Sequence, residues 1–160
     1  MIIKNARIDD RLIHGQVAVR WSRALKVTRI IGVDRDVLNN NMQKTMLKMA
    51  CPQGIKLSIL DPITAARNLK NEKYAEDTIM MVARTPQSYL ELINEGYQLE
   101  TITVGNMSRR NDTRVVFKTV SVTRQEEEAF HQLMQLGVKI YYQMLDSDEP
   151  ADFIELMDKR

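Results

Sequence analysis

A chain of 160 residues, 44% of them hydrophobic, is long enough to bury one substantial core and short for two domains. Its 28% charged residues nearly cancel to a formal net charge of +2, which removes any general electrostatic case for nucleic acid or an anionic membrane. The single cysteine, Cys51, excludes an internal disulfide and a disulfide-stapled secreted domain, and is expected to be a small buried or half-buried thiol in an intracellular protein.

The first residues, MIIKNARIDDR, turn charged too soon for the apolar stretch of a signal peptide. No run approaches the roughly 18 apolar residues that a membrane-spanning helix needs. A soluble, cytoplasmic protein is expected.

In chain order, residues 2–8 form an apolar run rich in isoleucine, which predicts a first strand. Residues 15–26 carry Val17, Trp21 and Leu25 at four-residue steps, the period of a helix with one buried face. A strand at 28–33 leads to a second helical pattern, 36–50, whose stripe is Leu38, Met42, Met46 and Met49. Strands are predicted at 55–60, 78–83 and 101–104, with Pro62 and Pro86 opening helices after the first two of these. Residues 114–117 predict a short extended segment near the far edge. Residues 123–136 form a helix with Phe130, Leu133 and Met134 on one face, 138–144 a last strand, and Pro150 opens a final helical pattern. Strand and helix in alternation predict one α/β domain over 1–160, a doubly wound, mostly parallel open sheet of about six to seven strands with helices on both faces.

Met42, Met46, Met49, Met80, Met81, Met134 and Met157 fall on apolar stripes or in strand runs and are expected to fill the core. Met107 and Met144 lie near strand ends, where a site would be bordered. In such a sheet, ligands bind beyond the carboxyl ends of the strands. The first of those turns reads Asp9-Asp10-Arg11-Leu12-Ile13-His14-Gly15-Gln16. No Ser, Thr, Asp or Asn stands at the start of the following helix to cap it, so its first N–H groups and the positive end of its dipole are free for an anion such as phosphate. Gly15 removes a Cβ from that place, and Arg7 and Arg11 supply charge-assisted hydrogen bonds. His14 is a competent nucleophile when neutral, with Asp9 or Asp10 available to orient it or to hold an arginine. No nucleotide-binding glycine pattern and no metal-ligand cluster is visible. From the residues alone this is a candidate anion site. His131, inside a helix, reads as a surface or packing residue.

The block RIDDRLIHGQV from Arg7 to Val17, followed by Arg20-Trp21, resembles the signature of the IIB subunits of the mannose/fructose/sorbose family of the bacterial phosphoenolpyruvate-dependent sugar phosphotransferase system (PTS). Val104-Gly105-Asn106-Met107, Lys118-Thr119-Val120-Ser121-Val122 and Gly137-Val138 resemble later parts of the same family, and the likeness spans nearly the whole chain. The resemblance implies a phosphoryl relay: a histidine of IIA donates to His14, on Nδ1, and the group then passes to a sugar emerging through the membrane subunits IIC and IID. It implies a phosphohistidine–sugar phosphotransferase with no cofactor, no metal and no nucleic-acid partner, associating peripherally with the permease. Arg7, Asp9, Arg11, Gly15 and Gln16 are then the expected phosphate-binding residues, and Gly105, Asn106 and Lys118 candidate rim residues. Arg109 and Arg110 form a basic loop that is either a solvated surface or a contact for an acidic partner or the phosphate. An open site is expected, because two partners must reach His14 in turn. The rival readings are a non-catalytic anion-binding module, in which His14 is only a hydrogen-bond donor, and a phosphohydrolase with a transient phosphohistidine.

Overall fold

In the computed structural model, which describes residues 1–159, the chain begins β1 (Ile2–Asp9), α1 (Gly15–Leu25), β2 (Arg29–Val33), α2 (Arg35–Leu38) and α3 (Asn41–Ala50). It continues through β3 (Lys56–Leu60), α4 (Pro62–Lys70), β4 (Thr78–Ala83), α5 (Pro86–Asn94) and β5 (Thr101–Asn106). A hairpin of β6 (Arg114–Phe117) and β7 (Val120–Val122) precedes α6 (Arg124–Gln135), β8 (Lys139–Tyr142), β9 (Ala151–Asp152) and α7 (Phe153–Asp158). The main sheet has seven strands in the order β3-β2-β4-β1-β5-β8-β9, all parallel except β9. This is the doubly wound α/β architecture that the alternating pattern predicts.

The two-residue period of the strands divides the core between the faces. Ile31, Ile79, Met81 and Ile8 point to the face covered by α4, α5, α6 and α7, whereas Ile30, Met80 and Val82 meet Trp21 of α1, Val37 of α2 and Leu47 of α3. Ile8, Ile31 and Ile79 are completely buried, each contributing about 1.5–3 kcal/mol relative to an exposed side chain. No helix of the described residues is long and apolar enough to cross a membrane.

Several expectations are corrected. The helical pattern at 36–50 is two helices: Asp34 Oδ1 caps α2 through Val37 N–H, and Asn40 Oδ1 caps α3 through Gln43 N–H. Asn39 and Asn40 break the run because a side-chain oxygen that satisfies a helix N-terminus favours stopping and restarting it. Met42, Met46 and Met49 are not core residues; they are 75%, 62% and 82% exposed, and Met134 is 42% exposed. A period fixes which residues share a face but not whether anything covers it, and on α3 only Leu47 is buried. Met80, Met81 and Met157 are buried as expected. Pro150 precedes β9 instead of opening a helix, since α7 starts at Phe153 under an Asp152 cap. The segment 114–117 pairs with β7 in its own antiparallel hairpin, outside the main sheet.

Candidate functional site

Alternation along β1 places Ala6 and Ile8 in the larger core, while Arg7 and Asp9 share a small recess with Trp21, Met80 and Val82 beneath α1. Asp9 is 1% exposed and organises the turn that follows it. Its Oδ1 accepts from the Arg11 backbone N–H and from Arg11 Nε, each at 3.0 Å, and its Oδ2 accepts from Nη2 at 3.0 Å. The Arg11 guanidinium is held protonated more firmly than usual, first by that hydrogen bond. Its Nη1 carries no hydrogen bond among the described residues. Leu12 adopts the left-handed region at φ 58°, a conformation that costs a non-glycine residue on the order of 1 kcal/mol. Burial of the Leu12 side chain and a 2.9 Å bond from its N–H to Asp9 O hold it there.

Leu12 and Ile13 are buried, so the chain surfaces again at His14, Gly15 and Gln16, all exposed. His14 is the N-cap residue of α1, extended at φ −117° and ψ 105°, and its ring makes no capping hydrogen bond. The first main-chain bond of the helix is Ala18 N–H to His14 O at 3.0 Å, which leaves the N–H groups of Gly15, Gln16 and Val17 facing outward from the helix end. A Cβ on Gly15 would meet nothing within 4 Å, so there is open room in front of that helix end.

Arg7 has a different place from Arg11. It is 2% exposed, with Nη1 donating to Gln143 O and Nη2 to Met144 O, both at 2.8 Å. Its Cζ lies 5.0 Å from the centre of the Trp21 ring, and Trp21 Nε1 donates to the same Met144 carbonyl at 3.1 Å. Burial pushes the guanidinium down to about 10, still protonated at neutral pH. Arg7 therefore fastens the loop after β8 to α1, and its terminal nitrogens are spent on main-chain carbonyls. Tyr89 O–H donates to Arg7 O at 2.8 Å from the opposite face. Gly105 is buried directly beneath the guanidinium.

Asp10 joins a second loop to the first. Its Oδ1 accepts from Asn106 Nδ2 at 2.8 Å and its Oδ2 from Ser108 N–H at 2.7 Å, while Asp10 N–H donates to Asn106 O at 3.0 Å. Asn106 thus adjoins the site through Asp10. Lys118 sits in the β6–β7 turn with its ammonium 5.5 Å from the Phe117 ring centre. Arg110 is committed to Glu126 at 2.7 Å, and its exposed neighbour Arg109 takes no part in that pair. His131 pairs with Asp158 at 2.9 Å on the α6–α7 side. Sequence reasoning passed over Arg84. It follows β4, pairs with Asp34, and lines a concavity with Asp10 and Arg11. The available signal was its position, one residue past the end of a central strand.

A mostly parallel open sheet with an exposed histidine at an uncapped helix start, in the turn that also holds the Asp9–Arg11 pair, defines the class: a doubly wound α/β domain with open helix N–H groups after its first strand. Comparison supplies the family. A sequence model described as the PTS system sorbose subfamily IIB component matches residues 3–160, and the chain belongs to that family. It is 36% identical over 157 residues to the fructose-specific EIIB component of Bacillus subtilis, covering 98% of this chain and 96% of that protein. It is 34% identical over 159 residues to the mannose-specific EIIAB component of Escherichia coli K12, covering 99% of this chain and 49% of that protein. The crystal structure of the IIBSor domain of the sorbose permease from Klebsiella pneumoniae matches with a TM-score of 0.94 at 33% identity, over 99% of this chain and 98% of that one.

Proposed function

We propose that this PTS component is a phosphocarrier that accepts a phosphoryl group from a IIA histidine on His14 and delivers it to a sugar during uptake through IIC and IID. The observation that carries the reading is His14 itself, exposed at the bare N-terminus of α1 and three residues from Arg11. In the acceptor step the lone pair of a His14 ring nitrogen, Nδ1 in this proposal, forms the new N–P bond as the donor's N–P bond breaks. The donor imidazole leaves with that electron pair. Phosphoryl transfer asks the protein mainly to position the partners and to stabilise charge on the equatorial oxygens. The N–H groups of Gly15 and Gln16 and the open edge of Arg11 do this, with Asp9 fixing the arginine. In the onward step a sugar hydroxyl oxygen forms the new O–P bond as the His14 N–P bond breaks, and the hydroxyl proton ends on the imidazole, which leaves neutral. The protein works in the cytoplasm, peripherally on the permease.

The test is incubation of the chain with a phosphorylated mannose-type IIA protein, read by intact mass. Gain of one acid-labile phosphoryl group is the expected result. A chain left unmodified by several such donors would favour the anion-binding module instead.

Two variants probe the loop. Asp9→Asn keeps the shape but loses the ionic, two-pronged grip on Arg11. Transfer is expected to fall on the order of 100-fold, because an arginine displaced by about 1 Å no longer meets the oxygens. The fold should lose about 1–3 kcal/mol from the impaired buried hydrogen bonds, measurable by urea melting. Gly15→Ala separates the two properties. With space for the Cβ and no left-handed φ, the variant should be as stable as wild type or gain up to about 1 kcal/mol. The methyl group nevertheless stands before the open N–H groups, and transfer should slow roughly tenfold. Wild-type transfer rates in Gly15→Ala would place the phosphoryl group elsewhere.

A further inference from the structure

The methionines of α3 are left exposed among the described residues. Met42, Met46 and Met49 follow the i, i+4, i+7 spacing of a single stripe and are 75%, 62% and 82% exposed. Isolated exposed apolar residues need no explanation, but a contiguous stripe on a helix marks an interaction surface. One residue of the stripe shares a concavity with Arg11. Met46 lines a concavity of about 190 Å³ together with Leu12, Val37 and Leu47, with Asp10, Arg11 and Arg84 also on its wall. Leu12 also lines the recess beneath His14, so the concavity of the ridge and the recess of the histidine share a wall residue.

Area explains why this matters. Even a weak, specific protein contact covers about 500 Å² or more of each partner. The loop itself offers only His14, Gly15 and Gln16 as fully exposed residues. Any protein that brings a phosphohistidine to His14 must therefore rest on the surface around it. The apolar surface adjoining it on this side is the methionine ridge. Methionine is suited to that contact, being flexible and polarizable enough to fit a surface it meets only briefly.

Resting on the phosphocarrier reading, we propose that the Met42-Met46-Met49 ridge and the adjoining concavity are the docking surface for the IIA phosphoryl donor, an apolar face with acidic residues beside it. Two features favour that occupant. The helix NMQKTMLKMA carries Lys44 and Lys48 and no carboxylate, whereas the cytoplasmic loops of membrane subunits are enriched in Lys and Arg and would be repelled. A permanent second copy on the ridge would cover the concavity that Arg11 lines, and a carrier must keep Arg11 accessible.

The test compares two phosphoryl donors on wild type, on the triple variant Met42→Glu/Met46→Glu/Met49→Glu and on the corresponding triple leucine variant. Phosphorylated IIA must dock. Phosphoramidate, which releases ammonia as its P–N bond breaks, needs no docking. The expected result is a fall of about tenfold or more in kcat/KM from phosphorylated IIA for the glutamate variant, mainly through KM. Phosphoramidate labelling and melting temperature should stay at wild-type values, and the leucine variant should keep transfer within about twofold of wild type. Equal kcat/KM from IIA in glutamate variant and wild type would overturn the ridge and leave the carrier reading standing. A parallel loss with both donors would also overturn it, as would a loss confined to the onward step to sugar. A wild type that accepts from no IIA protein would instead remove the carrier reading, and the ridge proposal with it.

Discussion

The His14→Ala chain is expected to accept no phosphoryl group from a phosphorylated IIA donor while unfolding at nearly the same urea concentration as wild type. The two halves of that result have separate physical causes. His14 is exposed and its ring makes no capping hydrogen bond, so removing the ring should change stability by no more than about 0.5 kcal/mol. Its backbone, at φ −117° and ψ 105°, suits alanine as well as histidine. Transfer is lost entirely because the reaction needs a covalent acceptor, and weaker binding of the donor is not what the substitution changes. His131 is engaged with Asp158 on the α6–α7 side. Intact mass and acid lability read the product; label appearing equally in both chains would make His131 the residue to test next. His14→Ser sharpens the comparison. Serine at this cap should satisfy an open N–H group and add about 0.5–2 kcal/mol, yet transfer should be lost as completely as with alanine. Stability gained would mean that the wild-type helix end forgoes a side-chain cap it could have had.

The loop with His14 was legible because its signals are local. A strand pattern, a cluster of charges, a histidine and a glycine before a helical period are all read within sixteen residues. The winding was legible for the same reason, since strand and helix periods alternate without interruption. What only the folded structure reveals is everything that depends on a distant neighbour. Arg7 and Arg11 look alike in sequence, four residues apart in one charged block. One meets the carbonyls of Gln143 and Met144 from across the sheet and the other meets Asp9 two residues away. Asp10 reads as a surface carboxylate until Asn106 and Ser108 arrive beside it. The α3 methionines fail in the opposite sense: their period is real, but no element of the described residues packs on them.

Arg7→Met is expected to cost about 2–4 kcal/mol, although Arg7 sits where a cation is disfavoured. Burial lowers its affinity for the proton to a pKa of about 10, so removing the charge relieves a desolvation penalty. Against that, Gln143 O loses its guanidinium donor and Met144 O keeps only Trp21 Nε1. The half-buried Gln143 carbonyl left unpaired costs about 1–3 kcal/mol, and the cation–π contact with Trp21 goes too, so the loss should outweigh the relief. Gly105→Ala attacks the same arrangement from below. A Cβ there would lie 1.9 Å from Nη2 and 2.3 Å from Cζ of Arg7, and the guanidinium cannot slide away because both of its ends are held. An overpacking cost of about 1–3 kcal/mol or more is expected. The decisive comparison is the double variant. Methionine in place of Arg7 takes the guanidinium out of the alanine's way, so the two costs should fall short of their sum by at least about 0.5 kcal/mol. Urea midpoints at constant slope would measure this. Simple additivity would mean that Gly105 is not there to seat Arg7. The same variants should slow phosphoryl acceptance without touching the phosphate, since the carbonyl that Arg7 holds is the one on which Trp21 seats α1. A helix that rocks on that seat carries His14 with it.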